Sequence, residues 1–428
     1  MSEGDSRGGG WLNRTVIGAG LTSFLADVGY EMATAVLPGF LRLLHLAPEA
    51  VGLVLGVIEG TADLLANAVK LVVGAYSDRI GHRKAFVVGG YALTGSAFAL
   101  CALAVGWPLV MLAKVLGWVG KGLRGPLRNA ILADSVEPAH HGKAFGLHRA
   151  GDTLGAIAGP LLGAALLAGL PAAWFDADDE PYRLVFLVTL LPGLGAALTF
   201  AVLVREKRFT PRPGLRLGSA VRALPADFRR WLGPVLLFGC GDFSHTLLIF
   251  AAGLLLAPAH GVQAAAVTAG LLYAVKNAAG SLAAFPAGWL GDRCGRHRVL
   301  VAGYALGVLT LAGFAVLFAT ETRDVAPLAV LFATAGVYVA IQEALEPAIT
   351  ADLVPEPSQR GTAMGLLGAV NGVGDFVASV GVGALFWLGP VVGFAAAAGV
   401  MLAGTVWLVT RGPEFPVSSR VAAGRSVS

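Results

Sequence analysis

Charge is what this chain has least of. Only 14% of its 428 residues are Asp, Glu, Lys or Arg, while 56% are hydrophobic. A soluble globular domain carries roughly 25% charged residues. With a mean hydropathy of +0.72, the chain cannot bury its apolar surface in a water-soluble core, so the bilayer is its expected solvent. Cysteine is scarce and odd in number. Cys101, Cys240 and Cys294 are scattered, which argues against a disulfide framework. The five Met do not cluster and no Cys/His spacing suits a metal, so no metal site and no cofactor are expected. There is no H-E-x-x-H, no G-x-S-x-G, and no soluble stretch able to hold a Ser/His/Asp set. A membrane-embedded enzyme is therefore a remote reading. Gly120–Gly125 reads G-K-G-L-R-G and fits G-x-G-x-x-G, but it lies inside an apolar segment with no strand before it. A nucleotide-driven pump is thus excluded. The net charge of +4 signals membrane orientation and not nucleic acid. No cleavable signal peptide is expected, because residues 1–14 are polar and the apolar run that follows is long and holds acidic residues.

Long apolar runs, by contrast, are plentiful. A helix crossing the hydrocarbon core needs about 20 mostly apolar residues. Twelve segments qualify: 15–42, 50–77, 85–105, 107–134, 143–170, 183–204, 231–257, 262–289, 299–319, 326–352, 362–388 and 390–410. The spacing predicts an all-α integral membrane protein. It divides into an N-terminal tail (1–14), a first bundle of six spans (15–204), a charged Pro/Gly linker (205–230), a second bundle (231–410) and a C-terminal tail (411–428). Counting Lys and Arg by side, 21 fall with the tails and linker, seven lie within spans, and only Arg42, Arg183 and Arg323 fall on the other side. By the positive-inside rule both termini are cytoplasmic, in a plasma (inner) membrane.

The two bundles repeat one another. Gly74–Lys84 reads G-A-Y-S-D-R-I-G-H-R-K, and Gly288–Arg298 reads G-W-L-G-D-R-C-G-R-H-R at the equivalent place in the second half. H-G-K-A-F-G-L-H-R-A at 141–150 resembles R-G-T-A-M-G-L-L-G-A at 360–369, and Asp27 in the first span parallels Asp242 in the seventh. Parallel repeats of this kind place a solute path between the halves, near the membrane midplane.

With these motifs the sequence resembles the major facilitator superfamily over essentially its whole length. Gly74, Asp78, Arg79, Gly81 and Arg83 match that family's loop signature between helices two and three, and Gly288, Asp292, Arg293, Gly295 and Arg298 repeat it. The resemblance implies the major facilitator fold, two pseudo-symmetric six-helix bundles. It also implies a cytoplasmic gate in which Asp78 caps the eleventh helix near Thr362, Arg83 pairs with Asp134, and Asp292, Arg293 and Asp352 form a second latch. On the fifth span, Gly146, Gly155, Gly159, Pro160 and Gly163 resemble the glycine-proline pattern of the family's antiporters, with Ala164 where Gly is usual. Read without the resemblance, those residues are a helix-packing motif with a bend at Pro160.

Ionisable residues inside spans are costly, at least about 2.5–3.5 kcal/mol each on insertion scales, and this chain keeps many. Asp27 and Glu31 share one face of span one. Glu59, Asp63, Asn67 and Lys70 form a stripe on span two. Span four carries Lys114, Lys121, Arg124 and Arg128, and span five carries His148, Arg149 and Asp152. The second half offers Asp242, His245, Lys276, Asn277, Glu343, Glu346, Asn371 and Asp375. Near-balance of sign suggests that most are paired within a water-accessible cavity. Asp27, Glu31, Glu59 and Asp63 lead as proton carriers, followed by Asp152 with Arg149; static ion pairs that fix helix packing are the alternative. Lys121, Arg128, Asp242, Lys276 and Asp375 complete the candidate path. The expected function is secondary transport of a small molecule by alternating access, with protons as the coupling partner and the gradient as the energy source. Antiport leads, symport follows, and the protein is expected to be monomeric.

Overall fold

The computed structural model describes residues 12–44, 46–80, 82–137, 140–171, 174–206, 221–354 and 356–411, and within these omits the side chains at 71, 74–80, 141–142, 357–358, 360–361 and 411. Fourteen α-helices and no strand appear among the described residues. They are α1 (Arg14–Leu43), α2 (Ala50–Ile80), α3 (Lys84–Ala97), α4 (Trp107–Asp134), α5 (His141–Gly169), α6 (Glu180–Val188) and α7 (Leu190–Leu203) in the first half. The second half holds α8 (Ala226–Gly239), α9 (His245–His260), α10 (Val262–Cys294), α11 (Arg296–Ala319), α12 (Val325–Leu353), α13 (Pro357–Leu385) and α14 (Pro390–Arg411).

Each of the twelve segments expected from hydropathy coincides with helix. One span is made of α6 and α7, which meet at Thr189, and α3 runs on into a 3-10 turn, Phe98–Leu103. The segment expected at 231–257 is broken. Residues 240–244 leave the helix, and Ser244 caps α9 by accepting from the Thr246 N–H. Gly241 and Gly374 allow the close approach at the break: a Cβ on Gly241 would meet the Ala397 carbonyl oxygen at 2.6 Å, and one on Gly374 would meet the Gly239 carbonyl carbon at 2.9 Å. Eight spans are long and apolar enough to cross a membrane by length and composition. The rest, α1, α4, α8–α9 and α10, are the ones that carry Asp27 and Glu31, the span-four cations, Asp242, and Lys276. The break shortens α8 and α9 below spanning length, while charge lowers the hydropathy of α1, α4 and α10 and marks them as cavity walls.

Small residues set the helix packing. In the first half α5 lies along α1, and the two halves meet where α2 packs on α13 and α5 on α10. A Cβ on Gly56 would collide with the Ser379 carbonyl oxygen, so only glycine allows that approach of α2 to α13. Gly295, at φ +97°, separates α10 from α11 by a single residue and turns the chain back on itself.

The apolar core runs through both halves, and at one end it closes over the space between them. Leu37, Phe40 and Leu41 of α1, Leu55 of α2, Leu256 of α9, and Phe386 and Phe394 are all buried there. The α1–α2, α9–α10 and α13–α14 connections lie at this end, and it is closed.

Candidate functional site

Between the halves lies a cavity of two lobes, about 480 and about 930 Å³, which share Lys70, Arg149, His245, Lys276 and Glu343 in their walls. It opens toward the end carrying the α2–α3, α4–α5 and α12–α13 connections, since Arg149 and Glu343 at its mouth are 62% and 59% exposed.

The smaller lobe is walled by α1, α4, α5, α10 and α12. Its cations are Lys70, Lys121, Arg124, Arg128, Arg149 and Lys276, six against the four carboxylates of Asp27, Glu31, Asp152 and Glu343. Glu31 accepts a 2.5 Å hydrogen bond from the Tyr273 hydroxyl of the other half. Lys121 lies over the rings of Tyr30 and Trp118, at 4.5 and 5.0 Å, and donates to the Tyr30 hydroxyl at 3.3 Å. Arg128 reaches Ser23, Tyr91 and Asn129.

The larger lobe has the opposite sign. Asp63, Asp242, Glu343, Glu346 and Asp375 face it, five carboxylates against Lys70, Arg149 and Lys276. Glu343 pairs with Arg149, whereas Asp63, Asp242 and Glu346 have neutral donors. The Trp118 Nε1–H donates to Asp63, and the Tyr338 hydroxyl donates to Asp242 at 2.9 Å. Glu346, 2% exposed, accepts from Tyr304 at 2.7 Å and from Asn371 at 2.8 Å. The helix break at 240–244 is what brings Asp242 to Tyr338, because a continuous helix would carry the carboxylate round with the turn.

The structure departs here from the sequence-based expectation of paired charges. Among the described residues only Arg149–Glu343 (3.1 Å) is a cation–carboxylate pair within 4 Å at the cavity wall, with His148–Asp152 (3.5 Å) beside it. The charges are separated by sign instead. Asp152 sits with His148, and Arg149 crosses to Glu343 of the other half, so the expected Asp152–Arg149 pair is not formed. Glu59 lies away from both lobes. It forms a 2.9 Å ion pair with Lys114 in which both side chains are 1% exposed, and Ser244 of the other half donates to it at 3.0 Å. Trp289 is 46% exposed, with the Arg293 guanidinium 4.1 Å over its ring.

Gly155 and Gly159 hold α5 against α1. A Cβ on Gly155 would meet Phe24 O at 2.5 Å and Asp27 Cβ at 2.8 Å, and one on Gly159 would meet Glu31 Cβ at 2.9 Å. These glycines therefore set where Asp27 and Glu31 stand. Gly163 lies against Met32, Pro160 is inside the helix, and Gly146 has open space around it.

At the open end Arg83 and Asp134 form a 2.9 Å ion pair, α3 to α4. Glu206 accepts from the backbone N–H groups of Arg83 and Lys84, at 2.7 and 3.0 Å, which ties the chain after α7 to the α3 start. In the second half the cation is Arg296. It pairs with Asp292 (2.9 Å) and Asp352 (2.8 Å), whereas Arg293 turns to Trp289. Gly295 causes the exchange, because its left-handed turn starts α11 at residue 296 and folds that side chain back over the end of α10. Gly74, Asp78 and Arg79 lie in the last turns of α2, but their side chains are outside the described residues, as is Gly81, so the Asp78 latch is not defined here.

Arg124, Lys70 and Glu346 belong to this network without having been ranked in it. The signal was present: all three fall on polar stripes of helices two, four and ten in the span count.

A duplicated bundle of membrane-length helices around a charged cavity, open at one end, defines a polytopic membrane protein built of two repeats. The chain belongs to the Major Facilitator Superfamily, whose profile matches residues 19–258 and again residues 235–426. An uncharacterised MFS-type transporter of Methanocaldococcus jannaschii is 30% identical over 380 residues, 89% of this chain and 90% of that protein. The multidrug resistance protein MdtG of Escherichia coli is 27% identical over 312 residues, 70% of this chain and 71% of that one. The nucleoside transporter NupG has the same fold, with a TM-score of 0.71 at 14% identity over 92% of this chain and 98% of that chain.

Proposed function

We propose that this protein is a secondary active transporter that moves a small solute by alternating access and couples it to protons. The observation that carries this is a cavity shared by both halves, sealed by apolar side chains at one end, into which Asp63, Asp242, Glu346 and Asp375 point with no cation within 4 Å among the described residues. A carboxylate held by neutral donors in a space that opens and closes takes up or releases a proton as its access to water changes. Asp63 and Asp375 reach the larger lobe from α2 and α13, helices that pack together across the two halves, so their protonation is linked to the fit between those halves. The excess of Lys and Arg on that side supports a cytoplasmic open end. The protein is then inward-facing in an inner membrane, with cytoplasmic termini, and acts as a monomer. The charged Arg83–Asp134 and Asp292–Arg296–Asp352 clusters line the rim that must close.

Within this reading the transport is antiport, exporting the solute. The glycine stripe that fits α5 to α1 and the similarity to a multidrug resistance protein support that direction. Proton-coupled import is the second reading, because the same carboxylates can carry protons with the cargo. Proteoliposomes holding a pH-sensitive dye separate them when small anionic, zwitterionic and cationic solutes are added outside. Antiport predicts outward proton movement with the transported solute. Inward movement would establish symport, and solute entry without proton movement would remove the coupling.

A further inference from the structure

We infer that the cargo carries an anionic group, a carboxylate, sulfonate or phosphate, and that this group is held in the smaller lobe by Arg124, Lys121 and Arg128. The inference rests on the transport reading and names its substrate class.

Arg124 is the central observation. It is 2% exposed, and its Nε and Nη1 are buried with no hydrogen-bond partner among the described residues. Its guanidinium lies 4.3 Å over the Tyr91 ring, which fixes its plane, and the residue lines the smaller lobe. A buried guanidinium with unused donors is costly, and an oxyanion is the group whose geometry matches its fork. The neighbouring cations are also uncommitted. Lys121 and Arg128 bond hydroxyl and amide oxygens, and neither has a carboxylate within 4 Å among the described residues. Lys70 at the waist of the cavity bonds only the Asn67 amide oxygen among the described residues, at 3.0 Å. Had these cations served only to balance Asp27 or Asp152, direct pairs would have formed, as Lys114 and Glu59 show a few turns away. The carboxylates of the larger lobe need no cationic cargo, since Trp118, Tyr338, Tyr304 and Asn371 already donate to three of them. The lobes thus divide the work: oxyanion in the smaller, protons in the larger.

The test uses the full-length protein in lipid nanodiscs at constant ionic strength. Thermal unfolding and calorimetry are read with phenyl phosphate, inorganic phosphate and phenyltrimethylammonium. Phenyl phosphate is expected to raise the unfolding temperature and phenyltrimethylammonium to leave it unchanged. Inorganic phosphate reports whether the oxyanion alone suffices or an organic body is needed, and stabilisation by either phosphate supports the anion site. Arg124→Gln should weaken phenyl phosphate binding about tenfold or more, the loss of charged hydrogen bonds. Arg128→Gln, on the open side of the lobe, should also weaken it and guards against a folding defect in the first variant. Stabilisation by phenyltrimethylammonium alone, or anion binding unchanged in both variants, would overturn the inference. The outcome is separable from that of the transport reading. Anion binding without proton-coupled flux would sink coupling and leave the anion site, whereas proton-coupled flux of cations only would do the reverse.

Discussion

Lys114→Met lowers the stability of the folded protein by about 3–5 kcal/mol, because it leaves the Glu59 carboxylate buried without its cation. The pair is 2.9 Å apart with both side chains 1% exposed, and Lys114 also lies 3.8 Å over the Trp118 ring. Neither water nor another cation can reach the abandoned charge. The double variant Glu59→Gln/Lys114→Met removes both charges and keeps most of the volume, so it recovers much of the loss. Thermal unfolding of the purified variants in detergent reads the difference. A double variant no more stable than Lys114→Met would show that the pair is not a closed structural unit. The result also decides between roles for Glu59, which the stripe on the second span places among the proton carriers. A carboxylate closed off with its own lysine holds α2 to α4 and, through Ser244, touches the other half.

Asp63→Asn and Asp375→Asn, singly or together, reduce proton movement in the proteoliposome experiment to the level of protein-free liposomes while leaving the protein folded. Asn keeps the shape of each side chain, and its amide oxygen still accepts from the Trp118 indole N–H at position 63. What is lost is the ability to carry a proton. Monodisperse elution and a wild-type unfolding temperature confirm folding. Gradient-driven proton movement that survives in both variants would take these two residues out of the coupling path and leave Asp242 and Glu346 as its carriers. The contrast with Lys114→Met is diagnostic: one change lowers stability, the other abolishes coupling without touching stability.

Hydropathy made the helices legible to within about five residues at their ends, since an apolar run must be long enough to span and every backbone group in lipid must be bonded within its own helix. The break at 240–244 was not legible, because C-G-D-F-S contains no proline and its cause lies in close approach to Gly374 and Ala397. Polar stripes were visible too. Periodicity tells which face of a helix is polar, but not which neighbour that face meets. Asp27, Glu31, Asp63, Lys121 and Arg128 accordingly reach the cavity, while Glu59 on the same stripe as Asp63 turns to Lys114. The Arg83–Asp134 contact followed from the repeat and the family resemblance. The second half departs from strict repetition because Gly295 hands the latch position from Arg293 to Arg296. The separation of charge by sign was the least visible feature. It depends on how α4 and α5 stand against α12 and α13, and near-balance over the whole chain conceals it.

The central claim is that carboxylates of the larger lobe set which end of the molecule is open. Pulsed electron resonance between spin labels at Glu137→Cys and Gln359→Cys, on opposite halves of the open end, tests it in nanodiscs with the three native cysteines replaced by Ser. The account predicts two distance populations whose ratio changes between neutral and acidic pH, and a ratio that no longer responds to pH when Asp63 and Asp375 are both Asn. A single distance distribution that pH does not move in the otherwise wild-type protein would contradict it.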